Sequence, residues 1–382
     1  MAHGATHDGE VDDGRITRTK IYHNDVAAAY DAHSSTDSSQ LFYGPSSNFA
    51  FLQQIHRGII LASGRRLCRN GNNAGFDEVG AGLDMFMQRP IFFGTPLRAD
   101  TVELANPNML PREMAEHFLA CYNHSVTLAL PFVPRTSGLD SLLKSFYEGP
   151  WPESDLYNQR IAVLFIALAV GALCTPQTKI AEGLFLCARR AGSPYEDAVT
   201  VPMIQFSLLL AEYQLNMARC NSAWLSVGNA YRKALAFGLL SASIVGPVQR
   251  EGEAEATMWG LYFIDVWLSV LTGRKANIKE CDIMFPLPAG QPVLKMLCRL
   301  ASIFEQALTS MYSRKTESIR QLHVAAKRIH DQLEHYADTF GISSLTSMRD
   351  GNTFVRNPVA MLMINNRQFL CLPPPFVLLQ MY

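Results

Sequence analysis

His330 and His335, at the ends of the run HDQLEH, are the nearest approach on this chain's expected helices to a zinc-binding pair. A catalytic zinc helix needs its two imidazoles one turn apart, so that both face one metal. At a spacing of five they point to different sides of a helix, and the run reads as polar surface. Cys121 and His124 are three apart and share a helix face, but no acid or turn near them would activate a thiolate. Packing is the better reading. No G-x-S-x-G elbow occurs. The one Asp pair, Asp12-Asp13, lies in a polar leading segment rather than on a metal-binding helix. Gly273-Arg274-Lys275 follows an apolar run but lacks the spaced glycines and the preceding strand from which a phosphate loop is built. The sequence therefore offers no catalytic, cofactor-binding or metal-ligating set.

The most informative charge is Asp265, midway in EATMWGLYFIDVWLSVLTGRKANI (residues 255–278). The uninterrupted apolar run there is shorter than the roughly 20 residues a bilayer requires, and an aspartate at its centre would be costly in lipid. Thr257, Gly260, Asp265 and Ser269 recur at helical steps and make one narrow stripe on an otherwise apolar cylinder. Such a helix belongs inside a large protein. Gly273 is placed to cap its C-terminus. Asp265 and Arg274 are expected to meet across the end of this helix, or to pair with neighbouring backbone.

Bulk properties agree with a buried helical interior. Apolar residues make up 48% of the 382 and charged ones 18%, enough for a sizeable core. The formal charge of −1 and the scatter of basic pairs exclude a polyanion partner held by bulk charge. The cysteines include no C-x-x-C pair and read as free thiols of a reducing compartment. No secretory signal opens the chain, so Asn123-His124-Ser125 matches a glycosylation acceptor by spacing alone.

Residues 1–40 are low in hydrophobicity and read as a disordered tail, with at most a short helix near DVAAAY (25–30). Gly44-Pro45 is a turn, Ser46 or Ser47 a cap, and Phe49, Leu52, Ile55 and Ile59 keep helical spacing after it. Residues 64–112 read as a long loop. From Pro111 onward helices follow closely: one at its start, then 138–147, 155–173, 176–191, 202–217, 222–237, 253–272, 292–312, 316–339 and 356–371. IAVLFIALAVGALC (161–174) is a buried helix, too short to span a membrane. Strand signals are nearly absent. The fold class is all-α, a single large domain of about ten packed helices over 41–382.

WLSVGNAY (224–231) fits the opening of a tetratricopeptide unit, but Leu240, Ile244 and Gly252 stand where its second helix needs Ala, Phe and Pro. No second copy appears. A helix hairpin fits better, with Pro202 starting its first helix, Asn221 capping its second and Gly238 ending it.

Residues 201–240 and 251–288 resemble the middle homology region of fungal zinc-cluster transcription factors. The first part matches that family's pattern at Trp224, Gly228, Ala234, Gly238 and Leu239. The second matches it at Trp259, Tyr262, Asp265, Ser269, Gly273, Arg274, Asp282 and Pro286. YGPSS (43–47) resembles the opening phrase of the region, and Pro375-Phe376 its later Arg-Pro-Phe phrase. The resemblance implies a nuclear transcription regulator whose effector domain acts through protein partners, as a homodimer or as a heterodimer with a DNA-binding regulator, or through a small-molecule effector. It implies no enzyme, no cofactor and no membrane. The competing readings are a helical interaction scaffold outside transcription and an enzyme with an unrecognised site.

The departures have consequences. The family's six-cysteine zinc cluster and basic linker are missing, so DNA contact is expected only indirectly. EGEAEAT replaces the usual arginines before Trp259, Lys275 stands for a proline, and Pro374 for the arginine of the later phrase. The region is also expected to run past residue 382 in other members, which suits a natural loss, a fragment or a truncated gene alike.

Overall fold

The structure, a computed structural model, describes residues 21–22, 27–30, 40–47, 110–129, 138–149, 152–240, 252–287, 291–312 and 317–340. Nine α-helices lie among the described residues: α1 Arg112–Ala129, α2 Leu139–Glu148, α3 Asp155–Leu173, α4 Thr178–Gly192, α5 Val201–Asn216, α6 Cys220–Phe237, α7 Glu253–Thr272, α8 Pro292–Ser310 and α9 Ile319–Thr339. The strands are short. β1 (Ile21–Tyr22) pairs antiparallel with β4 (Glu317–Ser318), and β2 (Ala27–Tyr30) with β3 (Gln40–Tyr43). The chain is all-α in class, as its helical periodicities indicate. The short helix expected near DVAAAY is instead β2, because Tyr43 to Gln40 offer it an edge that outweighs the helix propensity of three alanines. The helices expected from Phe49 and over 356–371, the loop 64–112 up to Met109, and Asp12-Asp13 lie outside the described residues.

Three helices that are apolar around most of their surface take the centre. α3 packs on α1, α4 and α5, and α5 packs in turn on α6 and α7. α7 carries the array outward through α8 to α9. This order follows from composition, since a helix without a polar face has to be covered on several sides. At 19 residues α3 is long and apolar enough to cross a membrane by length and composition, contrary to the expectation from its uninterrupted run. Within the fold its Ala162 to Ala172 are buried, so it is a core helix as read.

Local chemistry sets the ends of these helices. Thr200 accepts the Met203 N–H ahead of α5, with Pro202 in the first turn where its missing N–H costs nothing. Ser318 and Gln321 form a reciprocal capping box on α9. Gly238 ends α6 in the left-handed conformation, and Leu239 N–H closes back on the Ala234 carbonyl. Asn221 does not cap α6, whose N-cap is Arg219. The α5–α6 turn instead brings Ala218 to φ 58°, and the Asn221 side chain is left free for another partner.

Polar groups inside the array are paired across helices. Thr200 donates to Gln159 Oε1 at 2.6 Å, tying α5 to α3. Gln205 donates to Glu253 and to Thr257 on α7. Tyr213 and Arg219 both reach Glu182 on α4.

Candidate functional site

Of the residues singled out in sequence, Trp224, Asp265, Ser269, Gly273 and Arg274 gather around the C-terminal end of α7. Asp265 is 1% exposed. It accepts the Asn277 N–H at 2.6 Å, the Asn277 side-chain amide at 2.7 Å and the Ile278 N–H at 3.0 Å. Burial pushes its carboxyl up from the ordinary range, and these three donors pull it part of the way back. Asp265 thus folds the segment after Gly273 back against the helix it has just left. The alternative in which Asp265 pairs with Arg274 is corrected. The backbone takes the carboxylate, and Arg274 turns the other way.

Arg274 leaves the helix end between aromatic rings. Its Nε donates to the Phe42 carbonyl at 3.2 Å and Nη2 to Asn221 Oδ1 at 3.0 Å. Its guanidinium carbon lies 4.5 Å from the Trp224 ring centroid and 5.7 Å from that of Tyr43. A planar, weakly hydrated cation suits such a place better than an ammonium would. Burial lowers the Arg274 pKa, and the same burial pushes Tyr43 up to about 12. Arg274 Nη1 and Trp224 Nε1 are shielded from solvent and have no hydrogen-bond partner among the described residues.

The turn before Phe49 is the third part. Gly44 to Ser47 close a turn, and Gly44 N–H donates to the Thr272 carbonyl at 3.0 Å. Ser46 reaches the Val270 carbonyl at 3.4 Å. Gly273, at φ 65°, lies against Gly44 so closely that a Cβ on either would overlap the other's backbone. Two glycines that read separately as a turn and a helix cap are one contact.

The remaining motif residues reinforce this end of the fold. Trp259 donates its indole N–H to the Pro286 carbonyl at 3.0 Å, and Asp282 accepts the Lys279 N–H. Tyr262 donates to Glu305 on α8. Ser269 returns its hydroxyl to the Asp265 carbonyl. Gly228 is different: a Cβ there would meet only Arg232, at an ordinary distance, so nothing in the packing requires glycine.

A cavity of about 490 Å³ opens beside this junction, lined by Pro45, Arg274, Lys275, Lys279, Leu308 and Tyr312 among others. Glu305 lies on its wall, but that carboxylate is committed to Tyr262 and to the Glu280 N–H. The cavity therefore joins an apolar lining to an excess of cations. Sequence reasoning found Arg274, read Asn221 only as a helix cap, and missed Asn277 and Glu305, which lack any local signature. The two pairs that the sequence reading set aside form no site. His330 lies by Glu334 and His335 lines a different groove, while Cys121 sits 3.8 Å from His117 rather than on His124. No group of three His, Cys, Asp or Glu side chains converges as a metal site among the described residues.

A family model for the fungal specific transcription factor domain matches residues 117–337, more than half of the chain. The chain belongs to this family. The matched span runs from α1 to α9 and takes in every motif residue from Trp224 to Pro286. The fungal specific transcription factor domain is a regulatory family rather than an enzyme family, with a nuclear role and macromolecular interactions in general terms. No curated protein and no solved structure matches the chain.

Proposed function

We propose that this fungal specific transcription factor domain is the regulatory part of a nuclear transcription regulator. It carries no DNA reader of its own and acts through a protein partner, with the junction at the end of α7 as the place where a small effector is sensed. The observation that supports this reading is the junction itself. Asp265 holds the backbone of Asn277 and Ile278, Gly273 packs on Gly44 and Arg274 lies on Trp224, while Gly273 and Arg274 border a cavity that also holds Lys275 and Lys279, which suits binding rather than turnover. An effector of this shape would be amphipathic, with an anionic group toward Lys275 and Lys279.

The near-neutral charge and scattered basic pairs support the absence of a reader, since duplex affinity comes mainly from clustered Lys and Arg. GRRLCRN (64–70), the densest basic segment, lies outside the described residues. Two measurements test the proposal. The chain tethered to a heterologous DNA-binding module should alter reporter output in fungal nuclei, and a silent fusion would count against it. A gel-shift titration at physiological salt against a genomic fragment library should show at most weak, sequence-blind binding; nanomolar affinity with a reproducible preference would overturn it.

A further inference from the structure

The outermost helices, α8 and α9, enclose a groove of about 1160 Å³ that is open to solvent. This exceeds the roughly 300–1,000 Å³ of ordinary small-molecule sites. The two helices run antiparallel, held by Gln332 donating to Gln306 and by Tyr336 donating to the Met296 carbonyl. The floor is apolar, with Ile303 and Tyr336 buried in it, while Val324 stands 62% exposed at its edge. Along α8 the groove extends from Pro292 to Gln306, about 21 Å at the helical rise, or roughly four turns.

Its charge is one-sided. Lys295 and Arg299 line it from α8, and Lys327 and Arg328 from α9, against the single carboxylate of Asp331. Arg299 reaches Glu280 at 3.6 Å, with both side chains exposed, so that pair is weak. Lys295, Lys327 and Arg328 have no ion-pair partner among the described residues. His323 and His335 add imidazoles to the same walls.

We propose that this groove receives an acidic amphipathic helix from a partner protein. The apolar stripe of that helix would seat on Ile303, Val324 and Tyr336, with carboxylates on its flanks toward Lys295, Arg299, Lys327 and Arg328. The length of the groove, its apolar floor and its cationic rims match the helix-in-groove mode of recognition. The charge complementarity speeds encounter and rejects basic partners. The inference is independent of the effector reading, because α9 makes no part of the junction at the end of α7.

The experiment uses the full chain and two fluorescent peptides, each an amphipathic helix of about four turns. One carries Glu and the other Lys at the same flanking positions, with the same Leu and Phe stripe. Fluorescence anisotropy should give micromolar, salt-sensitive binding of the acidic peptide, and binding at least tenfold weaker for the basic one. Lys295→Glu with Arg299→Glu, and separately Lys327→Glu with Arg328→Glu, should each weaken the acidic peptide about tenfold or more. All four side chains are exposed, so both variants keep the parent melting curve. The proposal is overturned if the acidic peptide shows no saturable binding, if both peptides bind alike, or if neither charge reversal changes the affinity. It is equally overturned if sedimentation shows a dimer of this chain that the Lys327→Glu, Arg328→Glu variant dissolves, since the occupant is then a second copy.

Discussion

Replacing Asp265 by Ala tests whether the junction is held from inside. The carboxylate receives three donors, the Asn277 and Ile278 backbone N–H groups and the Asn277 side chain. The side-chain amide can rotate toward water, so its loss is inexpensive. The backbone donors cannot follow it: Ile278 is 1% exposed, and the segment from Gly273 is pinned by Arg274 and Gly44. An orphaned buried donor costs about 1–3 kcal/mol. Two of them cost about 2–6 kcal/mol, a span that brackets the about 3–5 kcal/mol of removing one partner of a buried charged cluster. At about 2 °C per kcal/mol for a domain of this size, the melting temperature should fall by roughly 6–10 °C. Differential scanning calorimetry of the two proteins at matched concentration and pH measures it. Asp265→Asn should recover only part of the loss, because its amide places a donor where the wild type has an acceptor. A melting temperature for Asp265→Ala within about 2 °C of the parent would refute the reasoning, and would mean that the turn after α7 stands without the carboxylate.

Other substitutions probe different elements. Gly273→Ala combines a left-handed φ with overlap on Gly44, so it should cost more than about 3 kcal/mol in a denaturant titration, or leave little folded protein. Ala218→Gly relieves the non-glycine residue at φ 58° and should stabilise by about 0.5–1 kcal/mol in the same assay. Lys233 is buried, and burial lowers its pKa, partly offset by Glu196 and Asp197. Below that lowered value its ammonium penalises the native state in full. Between it and the ordinary lysine range the unfolded chain binds more protons, so stability rises with pH there. Lys233→Met should therefore raise the melting temperature at neutral pH, by about 1 kcal/mol in stability, and should flatten that alkaline rise. Arg274→Lys should destabilise measurably despite keeping the charge, since an ammonium cannot serve Phe42, Asn221 and the Trp224 face together.

Most of the fold was legible because its helices differ in how much of their surface is apolar. α3, α5 and α7 are apolar around most of their surface, and that places them at the centre of the array. Helix ends were legible where the ending has one local cause, as at Gly238, Gly273 and Pro202. They were misread where a side chain has two uses. Asn221 carries the right chemistry for a cap, yet spends its oxygen on Arg274, which is 53 residues away. The DVAAAY segment failed for the complementary reason: its strand exists only through pairing with Gln40–Tyr43, and nothing local announces a two-stranded edge.

The site was legible in membership but not in connection. Asp265, Gly273, Arg274 and Trp224 were all named from the sequence, and of the two links it left open, aspartate to arginine or each to neighbouring backbone, the second is the one that forms. The physical reason is desolvation. Bringing a buried carboxylate and a guanidinium together would have consumed both charges and left the backbone of residues 277–278 without an acceptor. Dividing them satisfies more groups. The carboxylate takes the backbone donors that have no other recourse, and the guanidinium, with its delocalised charge, lies on Trp224 and Tyr43, where an aromatic face costs it little hydration. The same division leaves Arg274 at the boundary between the packed core and the cavity beside Lys275 and Lys279. A ligand entering that cavity therefore need not break Asp265's bonds to shift Arg274. It has only to compete with Asn221 and the Phe42 carbonyl, single neutral acceptors of about 0.5–1.5 kcal/mol each and more when the donor is charged. The contact most easily exchanged is thus the one that joins the turn at Gly44 and helix α6 to the end of α7.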